Sequence, residues 1–162
     1  MDFSRLDRNR TILGGISGTV LFFSLFLPWY SLTDTPQRVE QNAWLCGEGE
    51  FSCSAFETFP IMRWLLILAA LSPLILAWIL VRGHRLSWAP GELTMVTGFA
   101  AMVLIGYNGI LDRPAPADGT EFGTGLEPAY WLALLASIGI AATGFLRSQA
   151  GQKRERKAPG TV

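Results

Sequence analysis

Four stretches of the chain lack the polar residue every three or four positions that a water-facing helix carries. They are Thr11–Tyr30, Ile61–Val81, Leu93–Leu111 and Ala129–Leu146. Each approaches the ~20 residues that span a hydrocarbon core of about 30 Å at 1.5 Å per residue. The first and the last hold no charged residue, and the second holds only Arg63, close to its start. No alternation of period two runs through them, so they predict helices rather than barrel strands. The expected fold class is therefore an all-α membrane protein, a four-helix transmembrane bundle. Segments 1–10, 31–60, 82–92, 112–128 and 147–162 lie outside the spans 11–30, 61–81, 93–111 and 129–146.

Composition agrees with the pattern. Half of the 162 residues are apolar and 16% are charged, against roughly 25% charged in a soluble globular domain. The charges cluster between the runs and leave the runs clear. The basic lead-in Arg5, Arg8 and Arg10 has the look of a secretory signal, but the run behind it is long. It ends in Pro28-Trp29-Tyr30 instead of small residues, so it is expected to stay as a membrane span.

Four spans place both termini on one side, and the basic residues choose that side. Arg5, Arg8, Arg10, Arg82, Arg85, Arg147, Lys153, Arg154, Arg156 and Lys157 fall together, leaving Arg38, Arg63 and Arg113 opposite. Cytoplasmic segments are enriched in Lys and Arg, so both termini are expected in the cytoplasm and the protein in a plasma membrane. Trp29, Tyr30, Trp64, Tyr107, Tyr130 and Trp131 are expected as an outer interfacial belt, with Trp78 and Trp88 at the inner one.

The 31–60 loop is the largest segment outside the spans and holds both cysteines. Cys46 and Cys53, on an oxidising face and separated across Gly47 and Gly49, suggest a local disulfide. Closing so small a ring restricts the unfolded loop by roughly 2.5 kcal/mol on the chain-entropy argument. Trp44, Leu45, Phe51 and Phe56 offer apolar side chains around it and are the candidate partner contacts. A short β-hairpin pinned by the bridge is the expected local structure. No outer histidine joins the pair to make a metal site, and one pair of this spacing is not the Cys-x-x-Cys of a thiol oxidoreductase. Ser54-Ala-Phe-Glu57 fits a capping box ahead of the second run.

Within the spans, a relay of ionisable groups is not expected. Arg63 could pair with Asp112 or Glu127, or snorkel to the surface. Gly14 and Gly18 form a Gly-x-x-x-Gly step, and Gly139 with Thr143 repeats the small-residue spacing in the fourth run; these are the expected helix-packing positions. Pro73 removes a backbone donor from the second helix. Asn108 is placed to bridge helices. His84 sits in the short 82–92 loop with no set of catalytic partners around it. No enzyme activity, cofactor, metal or nucleic-acid partner is expected; the partners expected are the lipid bilayer and other membrane proteins or a second copy of the chain.

Two resemblances arise from these residues. Phe26-Leu27-Pro28-Trp29-Tyr30-Ser31, Ser54-Ala-Phe-Glu-Thr-Phe59 and Trp131-Leu-Ala-Leu134 resemble small four-helix membrane proteins common in actinobacteria, which implies a bacterial plasma membrane and brings no activity. Trp44-Leu45-Cys46 followed by Cys53 is similar in outline to the claudin and peripheral-myelin-protein group. That likeness implies a stapled outer loop used for contacts. The function expected is a non-enzymatic accessory subunit or scaffold. A small transporter or channel subunit, oligomeric through its glycine faces, is the alternative.

Overall fold

The computed structural model describes residues 8–32, 52–82, 91–113 and 124–155. Helix α1 runs over Arg8–Ser24, not through Tyr30 as the apolar run suggests. The last turn tightens, with Leu25, Phe26 and Leu27 N–H groups donating to the carbonyls of Phe22, Phe23 and Ser24 at 3.2–3.3 Å. Pro28 cannot donate and disfavours helical geometry in the residue before it. The chain therefore leaves the helix and enters strand β1, Pro28–Leu32. Proline is tolerated there as the first residue of a strand.

That strand corrects the all-α expectation. Among the described residues, β1 is the middle of a three-stranded antiparallel sheet. On one side lies β2, Ser52–Ser54, with Tyr30 opposite Cys53 and a bulge between Pro28 and Tyr30. On the other lies β3, Thr124–Leu126, with Tyr30 opposite Leu126. Extended structure was expected only as a hairpin inside the 31–60 loop. It instead draws its central strand from the end of the first apolar run, and its flanking strands from the two long inter-helix segments.

Ser54 then caps a single turn, α2 (Ala55–Thr58). Its hydroxyl accepts from the Glu57 N–H at 3.3 Å, and its own N–H donates to Glu57 Oε2 at 3.1 Å. The capping box thus forms, but Pro60 separates that turn from the long helix α3, Met62–Val81. Helix α4 covers Glu92–Gly106 and continues as a π-helical turn over Tyr107–Leu111. Helix α5 runs over Pro128–Glu155. Among the described residues, three helices are long and apolar enough to cross a membrane: Met62–Val81, Glu92–Leu111 and Pro128–Gln149. At 17 residues, α1 is shorter than these. Apolar side chains cover the outside of the bundle on every long helix, among them Ile16, Phe23, Leu68, Phe99 and Leu135.

The helices pack in a ring, α1 on α3, α3 on α4, α4 on α5 and α5 on α1. Small residues set the spacing. A Cβ at Gly14 would sit 3.1 Å from Thr143 Cγ2 and 3.2 Å from Pro73 Cβ; one at Gly139 would meet Ser17 Oγ; one at Gly18 would meet the Ala70 carbonyl oxygen. Gly14, Gly18, Gly139 and Thr143 therefore all face neighbours within the same chain. Pro73 leaves the Ala69 carbonyl without its helical donor, and the Ser72 hydroxyl donates to that oxygen at 2.8 Å. Thr97 Oγ1 lies 3.0 Å from Ser72 Oγ and links α4 to α3 at this point. At the end of the bundle away from the sheet, Arg10 Nη1 donates to the Leu146 carbonyl at 2.7 Å, and Arg147 Nη2 to Thr11 Oγ1 at 2.8 Å. The start of α1 and the late turns of α5 thus lie together.

Candidate functional site

The sheet is fastened to the helices by three aromatic residues, Trp29, Tyr30 and Tyr130, all fully buried. Their rings pack inside the protein, whereas Trp64, Tyr107 and Trp131 are about half exposed; Trp88 lies outside the described residues. Burying a phenol or indole requires an acceptor for its polar tip. Each of the three finds a backbone carbonyl. Trp29 Nε1 donates to Ser24 at 2.7 Å, closing the end of α1. Tyr30 Oη donates to Asn108 at 3.0 Å and Tyr130 Oη to Ile105 at 3.1 Å. Trp29 and Tyr130 meet edge to face at 5.7 Å between ring centres. Burial pushes the Tyr30 hydroxyl well above the usual tyrosine range, Tyr130 adding to the rise and Arg113 opposing it. Tyr30 is therefore a neutral donor.

The acceptors for Tyr30 and Tyr130 come from the end of α4 and its π-turn. The wider turn is closed by Asp112 N–H donating to the Tyr107 carbonyl at 2.8 Å. A π-turn adds one residue per turn and shifts the carbonyls that follow it out of the regular ladder. Gly109 in this turn lies flat against the Tyr130 ring, where any Cβ would overlap the ring edge. Gly109→Ala is expected to cost about 1–2 kcal/mol, since the ring must give way. Chemical or thermal unfolding of the purified protein in mild detergent measures it. Asn108 Nδ2 donates to the Leu104 carbonyl at 2.8 Å and points at Met62 Sδ at 3.4 Å, so it does bridge α4 to α3.

Of the residues singled out from sequence, Cys53 lies fully buried on β2 and is not a free thiol. Cys46, Trp44, Leu45, Phe51 and His84 lie outside the described residues. Phe56 is half-buried and stacks on Phe26 at 5.0 Å, with Trp64 beside it at 6.4 Å. Arg63, on the first turn of α3, pairs with neither Asp112 nor Glu127. Its guanidinium lies over the Phe56 ring at 4.7 Å and beside Trp64 at 5.5 Å. Nη1 donates to the Phe56 carbonyl at 3.1 Å, while Nε is buried and has no hydrogen-bond acceptor.

Elsewhere the hydroxyls serve the backbone. Ser24, Ser72, Ser137 and Thr143 each donate to a carbonyl three or four residues earlier on their own helix. Among the described residues there is no group of three or more His, Cys, Asp and Glu able to hold a metal ion. An apolar groove of about 430 Å³ runs along the outside of α4 and α5 between Met95, Phe99, Met102, Ile138 and Phe145. The built feature among the described residues is thus the sheet and its aromatic fastening. Sequence reasoning missed Trp29, Tyr30, Tyr130 and Gly109 as a unit. The signal available was Pro28-Trp29-Tyr30, a helix-ending proline followed by two strand-favouring aromatics. No family model matches the chain, and no curated protein or solved structure does.

Proposed function

We propose that this chain is a non-enzymatic integral membrane protein that crosses a bacterial plasma membrane four times and acts through protein contacts, as an accessory subunit or scaffold. The observation that carries this reading is the sheet. It takes one strand from the end of α1 and one from each long inter-helix segment, and is held to the helices by fully buried aromatics. A sheet fastened in this way suits recognition, because it gives up little freedom on binding.

Helix α1 enters the reading as the fourth span. Its 17 residues rise about 26 Å, and the turn through Leu25, Phe26 and Leu27 supplies the remaining few ångströms of a core about 30 Å thick. The sheet then sits at the outer surface and both termini in the cytoplasm, in keeping with the distribution of Lys and Arg. An oxidising outer side would suit the Cys46–Cys53 bridge that the sequence suggests. The resemblance to small actinobacterial four-helix proteins fits the same location. A transporter or channel built by self-association through the glycine faces is less favoured, since Gly14, Gly18 and Gly139 are occupied by contacts within the chain.

Gentle affinity purification from native membranes, followed by mass spectrometry, tests the proposal. A partner co-eluting in fixed stoichiometry, and lost when the 33–51 segment is replaced by a Gly/Ser linker, is the expected result. Protein that stays monomeric and partner-free in several mild detergents and in nanodiscs would sink it.

A further inference from the structure

Arg63 is the one described cation that stands on an aromatic shelf at the sheet end of the bundle. The guanidinium carries five N–H donors, and one contact within the protein is formed, from Nη1 to the Phe56 carbonyl. Nε is buried and out of reach of an outside anion, while Nη2 is neither buried nor hydrogen-bonded and is the open donor. The nearby Glu57 carboxylate is engaged by Ser54 Oγ at 2.7 Å and Ser54 N–H at 3.1 Å. A cation in the first turn of α3 also opposes the helix dipole, whose positive end lies there. The protein has therefore placed Arg63 without completing its partners.

The surroundings identify what completes them. Phe26 and Trp64 are 50% and 59% exposed, and Ile61, just ahead of α3, is 78% exposed. An anion reaching Arg63 crosses an apolar rim rather than a polar one. A planar fork of guanidinium donors matches two oxygens of a phosphate, and the phosphate that arrives with apolar chains attached is that of a phospholipid. We propose that Arg63, with Phe26, Phe56 and Trp64, seats the phosphodiester of a membrane lipid headgroup at the level of the sheet. The rings hold the guanidinium from one side by cation–π contact and receive the first methylenes of the acyl chains. This inference rests on the membrane reading above.

Native mass spectrometry of the full-length protein in mild detergent, titrated with phosphatidylglycerol, tests it. Arg63→Gln is expected to weaken lipid binding about tenfold, the size of one charge-assisted pair. Arg63→Lys should weaken it about threefold, because an ammonium keeps the charge but loses the fork. Trp64→Leu should act in the same direction. Diacylglycerol, which lacks the phosphate, should bind wild type and Arg63→Gln alike. Equal phosphatidylglycerol affinity in wild type and in a folded Arg63→Gln protein would overturn the proposal. If Arg63→Gln does not fold, equal affinity in Arg63→Lys and Trp64→Leu does the same. Displacement of the lipid by inorganic phosphate alone would overturn the lipid as the source of the anion. Extraction of the protein from membranes by alkaline carbonate would fault the membrane reading itself; resistance to extraction with lipid binding indifferent to Arg63 would fault only the seat.

Discussion

Trp29→Ala is expected to lower the unfolding free energy by about 3–5 kcal/mol, the range for deleting a large buried aromatic. Three losses coincide at this residue. The ring is fully buried, so a cavity opens between the sheet and the bundle. Its edge-to-face partner Tyr130 loses a neighbour at 5.7 Å. The Ser24 carbonyl at the end of α1 loses the indole donor that closes it at 2.7 Å. Trp29→Phe keeps a ring but no donor; the Leu27 N–H still reaches the Ser24 carbonyl, so the lost hydrogen bond should cost only about 0.5–1.5 kcal/mol. Unfolding in mild detergent titrated with a denaturing detergent measures both. A loss below ~1 kcal/mol for Trp29→Ala would mean that the sheet is not fastened to the helices through this ring.

Gly18→Ala is expected to destabilise by about 3 kcal/mol, the upper end for overpacking. The atom that a new methyl would meet is the Ala70 carbonyl oxygen on α3, which is backbone and cannot rotate away. Two helices must separate, and the contacts along α1 and α3 loosen with them. Gly15→Ala, on the same helix, is the contrasting case. A methyl at Gly15 would find only Leu74 Cδ2, at 4.0 Å. Replacing a helical glycine by alanine in open space favours the helix by up to ~1 kcal/mol, so this variant should be neutral or more stable. The same unfolding measurement reads both substitutions. Equal effects at positions 15 and 18 would contradict the packing described.

These variants bear on how much of the fold was legible in the sequence. Helices α3, α4 and α5 follow from continuous apolar runs of the length a bilayer asks for. The end of α1 does not, because hydropathy is the same for Phe26-Leu27-Pro28-Trp29-Tyr30 as a helix or as a buried strand. Only Pro28 marks the change. The sheet depends on pairing between Tyr30, Cys53 and Leu126, positions far apart in the chain, and no local pattern announces a non-local pairing.

Trp29, Tyr30 and Tyr130 were ambiguous for a different reason. An amphipathic ring suits a membrane interface and a buried carbonyl equally well, and the carbonyls of Ser24, Asn108 and Ile105 that decide the matter are invisible before folding. Gly14, Gly18, Gly139 and Thr143 signal close approach without naming the neighbour; in the folded chain each neighbour is internal. Arg63 was expected to pair with Asp112 or Glu127, or to snorkel to the surface. It lies on Phe56 and Trp64 because its helix starts beside that one-turn cap.

The claim on which the account turns is that α1 crosses the membrane with the other three long helices, leaving both termini on the side opposite the sheet. Epitope tags at the two ends of the chain, exposed to protease on intact spheroplasts and again after permeabilisation, test it most directly. Both tags should survive on intact spheroplasts and both should be removed once the membrane is opened. Loss of one tag alone from intact spheroplasts would place the termini on opposite sides, and the four-crossing arrangement would be wrong.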